Sequence, residues 1–287
     1  MSITAGSLNE ELRDKALELG ATYFGVADLI PVRQFITTQG GDFLAEYPVG
    51  VSAGVVLADG IVDQLHNHLN GHMVRTYHHH IYSFVAGQLD RIAGAVAAEI
   101  EGSGYRALPI PHSGSYDRAR LQAIISHKLV AHMAGLGRIG KNSLLITKKH
   151  GPRVRWVTVL TDAPLAATGG ATDEKDPCKS CSLCVDLCPV HAFAGIPFDP
   201  NEAVEVRFNT KKCRQYLSQR EETYDAAACG LCVYVCPRGW SMKRKKGSRR
   251  TTPALLRQQL AEIVSTVSGN TQARPVGVGD SPGRKTV

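Results

Sequence analysis

The chain has 287 residues, with 33 Lys and Arg against 26 Asp and Glu, a formal net charge of +7, and 8 cysteines. At 43% hydrophobic and 21% charged residues it has the composition of a globular protein with enough chain for one or two cores, which excludes wholesale disorder. No apolar run approaches the roughly 18 residues that a membrane span needs, and the N-terminus shows no basic-then-apolar ramp, so the expected location is the reducing cytoplasm, with no membrane partner. There, clustered cysteines are expected to hold metal rather than to pair as disulfides.

The positive charge is uneven. From Arg238 to Val287 there are 11 Lys and Arg against 2 Asp and Glu, a local net of +9, which leaves the first 237 residues at −2. The densest run, Lys243 to Arg250, reads K-R-K-K-G-S-R-R. Such a run either binds nucleic-acid phosphates by releasing counterions or is a solvated linker. With only Trp240 nearby it offers no row of aromatic rings on which bases could stack.

In chain order, Ser7-Leu-Asn-Glu10 reads as a capping box opening a helix, with Leu8, Leu12, Ala16 and Leu17 at helical spacing and Gly20 stopping it. Ala21 to Leu29 and Val51 to Leu57 read as strands. Val74 to Ile100 reads as one long helix, with Val85, Leu89, Ile92, Val96 and Ile100 on its apolar stripe. Arg106 to Pro111 is a short strand, and Asp117 to Met133 a helix with Leu121, Ile124, Ile125, Leu129 and Met133 inward. Leu144 to Thr147 and Val154 to Leu160 are strands. Helices alternating with short β-rich runs predict a mixed α/β (α+β) domain over residues 1–170. A Gly-, Thr- and Ala-rich loop leads into a small cysteine-organised domain over 171–240. A basic tail over 241–287 is expected to hold one short helix, Pro253 to Val267, and to be disordered from about Gly269.

All 8 cysteines fall between Cys178 and Cys236. Cys178, Cys181, Cys184, Cys188 and Pro189 form the C-x2-C-x2-C-x3-C-P run of bacterial two-cluster ferredoxins. In the second half Cys213 stands 15 residues apart from A-C-G-L-C-V-Y-V-C-P, which supplies Cys229, Cys232, Cys236 and Pro237. Two-residue gaps wrap three thiolates round one cubane, and the fourth cysteine of each motif reaches the other cluster. The spacing therefore predicts one [4Fe-4S] cluster on Cys178, Cys181, Cys184 and Cys236, and a second on Cys188, Cys213, Cys229 and Cys232. The rival reading, two four-thiolate zinc sites, fits poorly because the C-x2-C-x2-C triplet crowds three ligands.

Gly135 to Ser143 reads G-L-G-R-I-G-K-N-S. It contains G-x-G-x-x-G and nearly matches a phosphate-binding loop. Both motifs need a preceding strand, whereas a helix leads in here, and Asn142 replaces the hydroxyl that would hold magnesium. A helix C-cap and tight turn is the plainer reading. Among the 11 histidines, His68 and His72 are spaced to share a metal if helical, and the run His78-His79-His80 fans round a helix and cannot. His127 and His132 flank Lys128 on the helix that runs into Gly135.

A helix leading into A-G-L-G-R-I-G-K-N-S-L-L-I-T, then R-V-R-W-V-T-V-L-T-D-A-P-L, then the cysteine array with its split second half, resembles the epoxyqueuosine reductase family. The likeness runs from about Tyr77 to Arg238, and reductive dehalogenases share the plan. It implies an N-terminal domain that binds base-off cobalamin, two clusters that feed it electrons from a ferredoxin- or flavodoxin-type donor, and Gly135, Gly137, Gly140 and Lys141 as cofactor neighbours. The tRNA-modifying members place an Asp general acid upstream of the G-L-G motif. An ungapped count lands on Leu121, which leaves His127, Lys128, His132 and a shifted Asp117 as candidate proton donors. Those members often continue into helical repeats that hold tRNA, where this chain has only its basic tail. The expectation is an iron–sulfur oxidoreductase, with tRNA a partner through the tail. The alternative is a dedicated electron-transfer protein serving a corrinoid or flavin partner.

Overall fold

The computed structural model describes residues 5–112, 116–117, 119, 121–169, 176–199, 202–240 and 258. The described residues up to Trp240 pack as one compact unit. The Lys243 to Arg250 run, the helix expected over Pro253 to Val267 and the tail from Gly269 lie outside the described residues, apart from Gln258.

The centre is a four-stranded sheet in the order β1 (Tyr23–Asp28), β2 (Val49–Val56), β6 (Val154–Thr161), β3 (Ala107–Ile110), every neighbouring pair antiparallel. The sheet is thus of the α+β kind rather than the parallel sheet that strand–helix alternation also allows. Two further strands, β4 (Arg138–Ile139) and β5 (Leu145–Ile146), close a small hairpin.

Helix α1 (Ala5–Glu18) buries Leu8, Leu12 and Ala16 and ends before Gly20, at φ +93°. It begins two residues before Ser7, so the expected capping box lies inside its first turn, and Leu17 faces outward. Helix α2 (Arg33–Gly40) follows β1. The long helix is present but is built in three parts: α3 (Gly71–His79), a π turn over His80–Phe84, and α4 (Val85–Gly102). The stripe Val85, Leu89, Ile92, Val96 and Ile100 is buried, and α4 packs on β2, β3 and β6. The π turn absorbs one residue, which keeps Tyr77, Ile81 and Val85 all inward.

The helix expected over Asp117 to Met133 is the largest correction. Only α5 (His127–Met133) forms. Before it, Asp117 bridges Gln122 and Leu121 takes a left-handed φ of 55°, which a helix cannot contain. Ser126 then caps α5, its hydroxyl accepting from the Leu129 amide at 3.3 Å. α5 packs on β1, β2 and β6, and its Leu129, Val130 and Met133 join Ala27, Leu29, Ile110 and Leu160 in one core.

Candidate functional site

The cysteine segment is mostly loop with single helical turns, Leu183–Asp186 and Leu231–Tyr234, and one longer helix, α6 (Thr210–Tyr224), which carries Cys213. All eight cysteines are free thiols. Cys178, Cys181, Cys184 and Cys236 line one cavity of about 130 Å³. Burial pushes the Cys184 thiol up to about 12 and the neighbouring thiols add to it, those of Cys236, Cys178 and Cys181. A second set interacts in the same way: burial takes Cys213 to about 11, raised further by Cys229 and Cys188, and Cys232 feels Cys229, Cys213, Cys184 and Cys188. The first foursome thus lines one cavity, while Cys232 of the second feels Cys184 of the first as well as its own set. Buried thiols that repel one another's charge become thiolates only when a cation supplies the compensation.

Among the described residues no three His, Cys, Asp or Glu side chains converge to hold one metal ion. The first cavity is several times the roughly 30 Å³ that one water occupies in the liquid. A cavity of that size has room for a multi-atom cluster.

The glycine loop is built against the first set. α5 ends at Met133, Gly135 takes φ +75° as a helix C-cap, and the chain turns into the β4–β5 hairpin. At Gly140 a Cβ would meet Ile146 Cγ1 at 2.9 Å and Cys178 Sγ at 3.1 Å. The Lys141 amide donates to Cys178 Sγ at 3.4 Å, and Lys141 Nζ donates to the carbonyls of Lys179 at 2.8 Å and Cys181 at 3.3 Å. Asn142 Nδ2 donates to the Cys232 carbonyl at 3.0 Å. This one loop thereby touches both cysteine sets. Its neighbours Ile139, Ser143, Leu144 and Leu145 line a second, far larger cavity of about 1210 Å³.

That cavity exceeds the 300–1,000 Å³ of ordinary small-molecule sites. Leu57, Ile125, Leu129 and Phe198 supply apolar wall, and Val233, between Cys232 and Cys236, closes one side. Its polar wall is short of partners. His112 Nδ1 and Nε2, Arg155 Nε, Trp156 Nε1 and Arg207 Nε are buried with no hydrogen-bond partner among the described residues, and all four residues line the cavity. Unsatisfied buried donors on this scale mark a place where a large polar-rimmed group belongs.

The four candidate proton donors part company here. His127 lines the cavity, but Nδ1 lies 2.9 Å from Thr158 Oγ1 and Nε2 3.1 Å from the Pro111 carbonyl. Since the carbonyl only accepts, Nε2 carries the ring proton, and burial lowers the pKa to about 4, so the ring is neutral. His132 is buried behind the cavity, its Nδ1 2.9 Å from the Gly137 carbonyl, and steadies the glycine turn. Asp117 sits in its bridge with Gln122 and is not among the lining residues, whereas Leu121 is. Lys128 lines the cavity and donates from Nζ to the Ser143 carbonyl at 2.6 Å. Burial lowers its pKa to about 8, with Cys232 acting against the shift and Arg155 and Arg207 along it.

His68 and His72 share no helix: His68 ends a 3-10 turn, and His72 follows the Asn70 cap of α3. Sequence reasoning passed over Arg155, Trp156, Arg207 and Asn142. Arg155 and Trp156 are adjacent on β6, in the R-V-R-W stretch from Arg153 to Trp156.

A family model described as a 4Fe-4S double cluster binding domain matches residues 177–239. The chain is 30% identical over 177 residues to the epoxyqueuosine reductase of Pseudomonas aeruginosa, covering 57% of this chain and 41% of that protein. It is 35% identical over 116 residues to a tetrachloroethene reductive dehalogenase of Dehalobacter restrictus, covering 37% of this chain and 21% of that protein. The match thus spans less than half the length of these relatives. In fold it resembles a catabolic reductive dehalogenase (TM-score 0.60, 19% identity, 91% of this chain and 36% of that one). It also resembles the epoxyqueuosine reductase of Bacillus subtilis (TM-score 0.52, 18% identity, 83% and 66%). No helix among the described residues is long and apolar enough to cross a membrane. Sequence and fold thus lead to one conclusion: the chain is similar to the epoxyqueuosine reductases and, over a shorter stretch, to the reductive dehalogenases.

Proposed function

We propose that the chain is an iron–sulfur oxidoreductase in which two [4Fe-4S] clusters pass electrons to cobalamin in the large cavity, for reduction of an organic substrate there. Cys178, Cys181, Cys184 and Cys236 hold the first cluster, and Cys188, Cys213, Cys229 and Cys232 the second. The observation that carries this reading is the shared wall: Val233, inside the second cysteine motif, lines the cavity whose buried donors lack partners. Support for the cofactor comes from a solved relative in fold described as suggesting a mechanism for B12-dependent dehalogenation. When bound, the clusters supply single electrons at low potential and the corrinoid a reducing metal centre. Arg155, Arg207, Trp156 and His112 orient the bound groups, and the apolar wall keeps water out. Lys128 holds the proton that reduction of the substrate consumes. Electrons come from a one-electron carrier of the ferredoxin or flavodoxin type. A cavity of this size has no purpose in a pure electron carrier, which disfavours that alternative.

Anaerobic reconstitution followed by cobalamin titration under electron paramagnetic resonance tests the proposal. About eight irons per chain and a saturable corrinoid signal are expected. Iron without corrinoid binding leaves a relay, and the absence of iron ends the proposal. For the tail, an epoxyqueuosine reductase solved with a tRNA-Tyr stem loop has this fold (TM-score 0.51, 18% identity). We extend the proposal to tRNA contacts by Lys243 to Arg250. Truncation after Arg238 then abolishes salt-dependent tRNA binding, and unchanged binding removes this part.

A further inference from the structure

Arg220 lies on α6 two turns beyond Cys213 and is only 3% exposed. Its guanidinium is held on every side by neutral groups. Nε donates to the Ala228 carbonyl, one residue before Cys229, Nη2 to the His68 carbonyl, and Nη1 to the Tyr216 hydroxyl at 3.2 Å. The rings of Tyr216 and Tyr224 lie 5.4 and 5.0 Å from its central carbon. Among the described residues no carboxylate pairs with it; the ion pairs belong to Arg13, Arg106 and Arg153. His68 gives no charge either, because burial takes its pKa down to about 4.

A buried cation without a counter-charge is costly, and folded proteins pair such groups. Hydrogen bonds to carbonyls satisfy the N–H groups but leave the net charge uncompensated. The nearest place for negative charge is the second cysteine set: the guanidinium favours the charged form of Cys229. We propose that Arg220 is the built-in counter-charge of the second cluster and raises its potential above that of the first, so that an electron entering from the donor settles beside the cavity. This rests on the two-cluster reading above. One electron arriving at the second cluster adds one negative charge there, and a fixed cation nearby stabilises the reduced form more than the oxidised one. Of the cations around the first set, Lys179 and Arg238 are exposed and screened by water, and Lys141, whose charge favours the charged form of Cys178, is only half-buried. Arg220 is shielded from that screening, which makes it the stronger influence per charge.

The test is a redox titration of the anaerobically reconstituted full chain, followed by electron paramagnetic resonance, without cobalamin or substrate. In Arg220→Gln the second cluster's midpoint falls, so that at the unmodified midpoint its oxidised-to-reduced ratio rises about tenfold, about 59 mV for one electron. Arg220→Lys keeps the charge and stays near the unmodified value, and the first cluster is unmoved in both. A lower melting temperature with no change in potential makes Arg220 merely structural and overturns the proposal, as does an Arg220→Lys shift equal to that of Arg220→Gln. If Arg220→Gln fails to hold iron, the unmodified protein decides. The signal lost in Cys213→Ala identifies the second cluster, which must titrate at the higher potential, and the reverse order overturns the proposal. Failure to assemble about eight irons ends the two-cluster reading itself, a different result from two clusters in the wrong order.

Discussion

Replacing Lys128 by Met stabilises the protein at neutral pH, against the usual direction of a substitution in a cavity wall. Burial takes the ammonium from 10.5 to about 8. At 1.36 kcal/mol per pKa unit, the charged side chain costs the fold roughly 3 kcal/mol at pH 7. Its bond to the Ser143 carbonyl returns about 1–2 kcal/mol. Methionine matches the shape of the stem and removes both, for a net gain of about 1–2 kcal/mol. Thiolate charge at Cys232 acts against the shift, so the gain is an upper bound in the loaded protein. The folded pKa lies below the unfolded one. Between pH 8 and 10.5 the unfolded chain therefore holds the extra proton, and the stability of the unmodified protein rises with pH. The advantage of Lys128→Met is complete below pH 8 and fades across that window. Melting temperatures at pH 7 and pH 9.5 measure it: a rise of about 2–6 °C at pH 7, shrinking at pH 9.5. A variant less stable at pH 7, or a difference that ignores pH, refutes the reasoning.

Three further substitutions probe the frame around the thiols. Gly230, between Cys229 and Cys232, sits at φ +77°, and an added Cβ would run into the Tyr77 ring at Cε1, so Gly230→Ala costs about 2–5 kcal/mol and lowers iron per chain; full iron content with an unchanged melting temperature rules this out. Asn142→Ala loses the bonds to the Cys232 carbonyl and the Leu144 amide, at about 1–2 kcal/mol, and iron release by a chelator quickens while corrinoid-free folding persists. Arg153 is 1% exposed and bonds Asp59 at 2.6 Å and Asp63 at 2.7 Å; Asp63→Asn halves that compensation and costs about 1–3 kcal/mol by denaturant unfolding, discounted from the fully buried case because Asp63 is one-third exposed.

The strands and the apolar stripe of α4 were legible because each follows from a period, and a fixed spacing brought Cys178, Cys181, Cys184 and Cys236 to one cavity. The segment from Asp117 to Ser126 was not. Its Leu121, Ile124 and Ile125 carry helical spacing, yet Leu121 adopts a left-handed φ and the chain lines a cavity instead of continuing α5. Tertiary demand overrides local periodicity where a site must be walled. The cavity itself was illegible for a related reason. Its wall draws on Arg155 from β6, Lys128 from α5 and Arg207 from a turn before α6, residues far apart in sequence that carry no shared motif. Arg220 gave no signal, since Glu221 and Glu222 follow it in sequence and only the fold leaves it without a carboxylate partner among the described residues.

The charge of the whole chain says little about the cavity, whose polarity is fixed locally. Arg155 disfavours the charged forms of both His112 and His127, and burial takes them to about 3 and about 4. Both rings are therefore neutral throughout pH 5 to 8, and neither titrates where histidine usually does. Lys128, at about 8, is the cavity group that changes charge near neutrality. A proton donor must be protonated to act, so the rate of substrate reduction is flat from pH 5 to 7 and falls tenfold per pH unit above about 8. The bound clusters, each about −2 with four thiolates, move that limb upward, never downward, because Cys232 favours the ammonium. Lys128→Met abolishes the limb and lowers the rate about 10²–10⁴-fold, while the cluster potentials stay in place. An inflection near 6.5, or an alkaline limb that survives in Lys128→Met, assigns the proton to another group and removes Lys128 from the chemistry.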